Sequence, residues 1–441
     1  MSNDELREKI GQMIMVGFYG TVLPDTLVVD IQQRNLGGVL LFAHNMVNPQ
    51  QIKNLTDQLN QLAEIPLFIS TDQEGGLVAR LDENNGFEET YTAFQLGTIL
   101  NSEDSTRATA AMMAKWLSES GINVNLAPVV DVNVNPSSPA IGYWKRSFSN
   151  DPMTVFNHAS WFIDEFHQHN IITTLKHFPG HGSATEDSHL GWTDITTTWA
   201  DSELVPYQAL FSGEFPTKSE GYKDIVMVGH LYNSNFDTLY PASLSYNVVT
   251  SLLRQDLNFQ GVVISDEMFM QAITGYYTFE ETVELAINAG IDILLFRTNE
   301  INDMSLVREV IELVVQKISN GDIAESRINE SYQRIMELKQ RITSVEDEIA
   351  SLYVPTDFTL QNYPNPFNTS TNIAVNIEHN IHVDLKIYDI LGKVVCEIIK
   401  KELKTGTYIF KFNGSRLSSG IYFVKMETPE FSISRKIMLI K

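Results

Sequence analysis

The stretch from Leu175 to His189, LKHFPGHGSATEDSH, places Lys176, His177, His181, Asp187 and His189 within fifteen consecutive positions. A packed core does not tolerate that density of ionisable groups, because each buried charge needs a partner. Gly180 and Gly182 permit sharp backbone turns and Pro179 fixes φ, so the segment is a shaped loop and not a continuing strand. In Asp187-Ser188-His189 a carboxylate can hold one imidazole nitrogen while the other faces a reacting atom, which is the arrangement of general acid–base chemistry. A solvated turn or a stray metal-binding loop is the plainer alternative. Chemistry-bearing residues elsewhere in the chain decide between them.

Those residues stand where strands end. Eight apolar runs read as strands: Met13–Phe18, Gly38–Phe42, Leu67–Thr71, Asn123–Val130, Ile172–His177, Ile225–His230, Val262–Ser265 and Asp292–Phe296. Amphipathic stretches such as Gln50–Ala63, Thr106–Ser120, Met153–His169 and Phe279–Ala289 lie between them. Alternation of this kind marks a parallel sheet with crossover helices, and eight such units predict a (β/α)8 barrel of the TIM type, whose chemistry sits at the strands' C-terminal ends. Asp72-Gln73-Glu74-Gly75-Gly76 follows the third run, Asp131 the fourth and the His-rich loop the fifth. His230, Asp266-Glu267 and Arg297 close the sixth, seventh and eighth. Ionisable residues at one end of strand after strand indicate a shared site, although a charge pair at Asp266-Glu267 or a simple turn at Asp72 and Glu74 is the structural alternative.

Met304–Arg341 is long and amphipathic and closes this first domain, taken as residues 1–345. A linker is expected over 346–358, followed by a small all-β, immunoglobulin-like sandwich over 359–441. Its short alternating strands are Ile373–Ile377, Val383–Tyr388, Val394–Ile399, Thr407–Phe412, Gly420–Met426 and Ser434–Ile440, with turn signals at Leu391-Gly392-Lys393 and Asn413-Gly414.

The formal charge of −24 is uneven: the first 355 residues carry 20 Lys/Arg against 47 Asp/Glu, and the remainder 11 against 8. So acidic a body argues against binding nucleic acid or anionic membrane surfaces and suits a neutral or cationic substrate. A single cysteine, Cys396, excludes an intrachain disulfide or thiolate cluster. No run of about 18 apolar residues is present, so no membrane span is expected. The acidic, amphipathic MSNDELREKIGQ does not read as a signal peptide. His44, His158, His167, His169, His379 and His382 read as surface or structural, and neither a metal site nor a cofactor is predicted.

STDQEGG (Ser70–Gly76) with Arg80, APVVDV (Ala127–Val132), KHFPGHG with DSH, and GVVISDEM (Gly261–Met268) occur in an order and spacing that resembles family 3 glycoside hydrolases, specifically the β-N-acetylglucosaminidase (β-N-acetylhexosaminidase) branch. The resemblance implies a retaining, exo-acting hydrolase with Asp266 as nucleophile and His189 as acid/base, paired with Asp187. It further implies that Asp72, Arg80, Arg146, Lys176 and His177 contact the sugar hydroxyls, and that His230 and Met268 line the same pocket. The implied substrates are N-acetylglucosamine-containing oligosaccharides from peptidoglycan or chitin. The residues agree with that chemistry: retention needs a carboxylate on one face of the anomeric carbon and a proton donor on the other. An imidazole, with a reference pKa of roughly 6.5, suits the donor role near neutrality. The glycines before it suggest that His189 swings into place when sugar binds. A phosphorylase using the same residues is the alternative, and an inactive surface sugar-binding protein is a third reading of another class.

Two departures from the family pattern stand out. Ile141-Gly142-Tyr143-Trp144-Lys145-Arg146-Ser147-Phe148 is two residues longer than the usual motif, which makes Lys145 a competitor of Arg146 and offers Tyr143 and Trp144 as an aromatic face or as loop packing. Leu77 stands where the family often has arginine. In the tail, Tyr363-Pro364-Asn365-Pro366-Phe367-Asn368, Ile387-Tyr388-Asp389-Ile390-Leu391-Gly392, Leu417-Ser418-Ser419-Gly420-Ile421-Tyr422 and Lys436–Lys441 resemble the C-terminal sorting domain of bacterial type IX secretion, a sugar-binding β-module being the alternative. That resemblance implies the type IX machinery as partner and a secreted or cell-surface location. Such cargo needs a leader, so a start upstream of Met1 is expected; without export the location would be periplasmic or cytoplasmic.

Overall fold

The computed structural model describes residues 3–212, 221–352 and 359–441, apart from residues 364, 366, 378, 391, 405 and 416. The eight apolar runs form eight strands: β1 Ile14–Gly17, β2 Gly38–Leu40, β3 Phe68–Thr71, β4 Val124–Asn125, β5 Thr174–Phe178, β6 Ile225–Val228, β7 Val262–Glu267 and β8 Ile293–Phe296. All neighbours pair in parallel, in the order β4-β3-β2-β1-β8-β7-β6-β5. The parallel bridges Val124↔Ile172 and Val129↔Lys176 join β4 to β5, so the sheet closes into a barrel. Both faces of each strand are covered, which is why the strands read as unbroken apolar runs. β4 is much shorter than the run that predicts it, although single backbone bonds continue beyond it, from the Leu126 N–H to Thr71 and from the Val130 N–H to Lys176.

Helices occupy most of the intervals: α1 Asn3–Gln12 precedes β1, and α2 Asp25–Arg34, α3 Pro49–Leu62, α4 Glu103–Glu119, α5 Pro152–Gln168, α6 Val205–Phe211 and α7 Phe279–Ala289 cross between strands. α3 shows how the sequence sets them. Asn48 caps its first turn by accepting the Gln51 N–H, proline occupies the first helical position, and Ile52, Leu55, Thr56 and Leu59 form the buried stripe. The long segment expected from Met304 is two helices, α8 Leu306–Asn320 and α9 Glu325–Leu352, separated at Gly321, whose φ of 85° caps α8. α9 runs into the expected linker as far as Leu352, and 353–358 lie outside the described residues.

Arg327, Arg334 and Arg341 recur every seven residues and so fall along one side of α9. Arg327 (2.8 Å) and Arg334 (3.0 Å) pair with Asp292, which Arg254 also holds, and Arg341 pairs with Asp224 together with His167. Asp292 and Asp224 immediately precede β8 and β6, so these buried clusters seal the N-terminal end of the barrel, opposite the expected chemistry.

The chain divides into compact units, Met1–Ile342 and Thr343–Lys441, each with its own apolar core. The second is wholly antiparallel: β9 Thr359–Tyr363, β10 Ser370–Ile377 and β13 Gly406–Asn413 form one sheet, and β11 Ile381–Asp389, β12 Val394–Leu403, β14 Gly420–Glu427 and β15 Ser432–Leu439 the other. Val383, Leu385 and Ile387 alternate inward along β11. β9 is additional to the six strands expected, since Thr359–Tyr363 reads TLQNY and lacks apolar alternation. The Tyr422 hydroxyl donates to the Ser418 carbonyl at 2.8 Å, which gives the Leu417–Tyr422 motif a structural reason. Pro364, Pro366 and Leu391 of the other tail motifs lie outside the described residues. Among the described residues no helix is long and apolar enough to cross a membrane.

Candidate active site

The loop after β3 is wired before it reaches the site. The Gln73 side chain accepts the N–H groups of Arg80 and Leu81 and donates to the Leu81 carbonyl, while Asn125 of β4 bonds the Gln73 backbone at both N–H and C=O. This fixes Asp72 and Glu74 on either side of Gln73. Lys176, from β5, reaches both carboxylates, at 2.9 Å from Asp72 and 2.7 Å from Glu74. Arg80 adds a 3.2 Å pair to Asp72, and Arg146 grips Glu74 with two parallel bonds of 2.8 and 2.7 Å. Burial pushes the Glu74 carboxyl upward, but Arg146 and Lys176 outweigh it and hold it well below the usual range. Asp72 is lowered in the same way, with Lys176 and Arg80 overcoming burial. Of Lys145 and Arg146, Arg146 lines the cavity and Lys145 stays exposed at the turn.

Asp131, fully buried after β4, organises the loop after β5. It accepts the His177 and His181 backbone N–H groups at 3.1 and 2.8 Å and the His177 Nδ1–H at 2.8 Å. Gly182 belongs here for space, not for motion: a Cβ would lie 1.7 Å from the Val132 carbonyl oxygen, and its N–H donates to Glu203 at 2.9 Å. A Cβ on Gly180, at φ 124°, would meet the Glu203 side chain at 2.6 Å. Both positions thus require glycine for close packing against Val132 and Glu203. The exposed positions are confined to the tip near Thr185–Leu190, where Ser188 is buried and its hydroxyl lies 3.0 Å from His181 Nε2. Burial lowers His181 to about 4, so this anchor is a neutral ring. Either side of Ser188, Asp187 accepts both the backbone N–H (3.0 Å) and Nδ1–H (2.7 Å) of His189. Because a carboxylate can only accept, Nδ1 carries the hydrogen and Nε2 is left to exchange a proton. His189 is more than half exposed.

Asp266 ends β7. Its Oδ1 accepts the Glu267 N–H at 2.8 Å. Burial raises this carboxyl, but the imidazoles of His177, His230 and His189 overcome the effect and leave it below the ordinary carboxylate range, hence ionised at neutral pH. Asp72, Arg80, Arg146, Lys176, His177, Asp187, His189 and Asp266 all line one cavity of about 740 Å³, joined by Glu74, Glu267, Trp144 and Arg297.

Two expected lining residues are not on that wall. Met268 is 1% exposed, packed in the barrel core, with its N–H on the Leu295 carbonyl. His230 is equally buried: its Nε2 donates to the Glu267 carbonyl at 3.0 Å and its Nδ1 accepts from Ser243 at 2.6 Å. Burial lowers its pKa, and the ring braces the strand end that carries Asp266.

Glu203 belongs to no motif singled out in the sequence, and Ser188 figures there only as the residue between Asp187 and His189; both support the His189 loop. Burial raises the Glu203 carboxyl to about 7, against the Ser183 hydroxyl and the Gly182 amide, which pull it down. The folded chain therefore keeps a proton that the unfolded chain releases above roughly pH 4.3, so this residue's contribution to stability falls as pH rises from there to about 7 and then levels off. Glu203→Gln, which cannot ionise, is expected to flatten the decline of the urea midpoint between about pH 5 and pH 8. A decline identical to that of the unaltered protein would refute the assignment.

Residues 5–338 match the family model described as Glycosyl hydrolase family 3 N terminal domain, and residues 361–441 the one described as Secretion system C-terminal sorting domain. Beta-hexosaminidase A of Pseudoalteromonas piscicida is 30% identical over 353 residues, covering 75% of this chain and 57% of that protein. The beta-hexosaminidase of Haemophilus influenzae is 34% identical over 287 residues, covering 64% and 78%. A family 3 β-N-acetylglucosaminidase structure from Paenibacillus sp. str. FPU-7 superposes with a TM-score of 0.70 at 32% identity, over 77% of this chain and 62% of that one. For a β-N-acetylhexosaminidase from Beutenbergia cavernae the TM-score is 0.68 at 29% identity, over 76% and 98%. The chain thus spans less than two thirds of the Pseudoalteromonas and Paenibacillus proteins.

Proposed function

This chain belongs to glycosyl hydrolase family 3, and from that premise we propose that it is a retaining, exo-acting β-N-acetylglucosaminidase that releases terminal N-acetylglucosamine from oligosaccharides of peptidoglycan or chitin. One observation carries the reading: an ionised carboxylate, Asp266, and a carboxylate-held imidazole, His189, face the same cavity from different loops. In the first step Asp266 attacks the anomeric carbon while His189 Nε2–H protonates the glycosidic oxygen, and the aglycone leaves as an alcohol. In the second, His189 Nε2 takes a proton from water, which displaces the sugar from Asp266 and restores both groups. Asp187 holds the Nδ1 hydrogen throughout and stabilises the imidazolium.

Asp72, Arg80, Arg146, Lys176 and His177 form the polar side of the cavity, and we assign them to the hydroxyls of the terminal sugar. Their mutual ion pairs keep the group rigid before substrate arrives, which favours a fixed sugar orientation. The secretion-system match of residues 361–441 supports export by the type IX route and a secreted or surface location.

The test is release of nitrophenol from the β-N-acetylglucosaminide compared with the β-glucoside, with and without phosphate. Turnover confined to the acetamido sugar and indifferent to phosphate is expected. Preference for the glucoside would overturn the sugar assignment, and phosphate-dependent release of a sugar 1-phosphate would replace hydrolysis by phosphorolysis.

A further inference from the structure

Beyond the sugar pocket, an aromatic cluster stands on the same face of the barrel. Trp192, three residues after His189, lies 4.9 Å from the ring of Tyr232 and 4.7 Å from that of Tyr276. The three come from the loops that follow β5, β6 and β7. Tyr276 is 60% exposed and Leu190, next to His189, is 75% exposed, while Trp192 and Tyr232 are partly exposed. The arrangement is built rather than casual. Thr193 and Asp194 pair in parallel with Leu231 and Tyr232, which ties the end of the His189 loop to the segment after β6. The Tyr232 hydroxyl donates to the Thr238 carbonyl. None of the three aromatic residues lines the cavity, yet each is close in sequence to a residue that does or that braces it: Trp192 to His189, Tyr276 to Thr274, Tyr232 to His230.

An isolated exposed aromatic residue needs no explanation, whereas a tryptophan in contact with two tyrosines, all three with water-facing surface, does. The loop that carries both His189 and Trp192 supplies one. A proton donor must touch the oxygen of the leaving group, so the aglycone of any substrate lies on the His189 side of the cavity. A pyranose ring has an apolar C–H face that packs against an aromatic face, with its hydroxyls left at the rim.

We propose that Trp192, Tyr232 and Tyr276 form a platform for the sugar ring on the leaving-group side of the scissile bond, and that this ring is a β-linked acetamido pyranose. This rests on the glycosidase reading above. The strongly acidic body favours an uncharged ring, as in a chitooligosaccharide, over a lactyl-bearing muramic ring.

The experiment compares kcat/KM for N-acetylglucosaminyl β-fluoride, whose leaving group has no ring, with that for chitotriose. Trp192→Ala and Tyr276→Ala are expected to lower the chitotriose value about tenfold each and leave the fluoride value within about twofold, with Trp192→Phe recovering most of the loss. A GlcNAc-β-1,4-N-acetylmuramic acid disaccharide run alongside distinguishes the two sources of the ring. Equal losses on fluoride and chitotriose would mean that the cluster only supports the loop, and no loss on either would mean that it contacts nothing; each overturns the platform. Chitotriose binding, read by calorimetry, separates this from the glycosidase reading. If the unaltered protein turns over neither substrate, the hydrolase reading fails, and the platform stands or falls on whether Trp192→Ala weakens that binding about tenfold.

Discussion

Replacing Asp266 by alanine is expected to lower kcat on N-acetylglucosaminides by at least about 10⁴-fold while the denaturation midpoint stays near that of the unaltered protein. The residue stands at the end of β7 with one oxygen on the Glu267 N–H, and the histidines around it keep it charged despite burial. No other carboxylate on the cavity wall is equally available. Glu74 and Asp72 are held in ion pairs, and Glu267 is raised by burial and accepts the N–H groups of Phe269 and Arg297. Loss of Asp266 therefore removes the covalent step without a substitute. A slow substrate should trap an N-acetylhexosaminyl adduct on the peptide containing Asp266, visible as a mass increase. If Asp266→Ala kept a tenth of the activity, or the adduct appeared elsewhere, the nucleophile would have to be reassigned.

The second large effect concerns His189 and depends on the leaving group. With chitobiose, whose departing alcohol needs a proton, His189→Ala is expected to cost about 10²- to 10⁴-fold in kcat/KM. With a dinitrophenyl aglycone, which leaves unassisted, bond cleavage should fall far less and hydrolysis of the glycosyl-enzyme should become limiting. A plot of log(kcat/KM) against leaving-group acidity should therefore be much steeper for the variant. Asp187→Ala should fall between the two proteins, since it removes the support of Nδ1 and leaves Nε2 in place. Parallel plots for the unaltered protein and His189→Ala would exclude the acid/base role.

How much of this was legible in the sequence differs by element. The eight barrel strands were, because a parallel sheet buried on both faces leaves continuous apolar runs such as Val262–Ser265. Their polar C-terminal neighbours were legible for the same reason, since they interrupt those runs at one end only. β9 was not: it is held by backbone pairing with β10 and carries few apolar side chains. That Gly180 and Gly182 are needed for space was not legible, because sequence does not report the carbonyl of Val132 or the side chain of Glu203 packed against them. Glu203 itself lies fourteen residues beyond His189, with nothing in its neighbourhood to mark it as a prop. Met268 was expected on the cavity wall through the family resemblance, yet it is buried in the core.

The arginines of α9 bear on the order in which the molecule can be made. A chain synthesised from its N-terminus has all eight barrel strands in hand by Phe296, but Asp292 and Asp224 still lack Arg327, Arg334 and Arg341. Two carboxylates that would have to be buried without most of their cations oppose closure until α9 has emerged. Residues 343–441 follow the arginines of α9 in the chain, so nearly a hundred further residues of synthesis give α9 time and reach to dock. The barrel is in this sense locked from its far end, late, by a helix that takes no part in the chemistry.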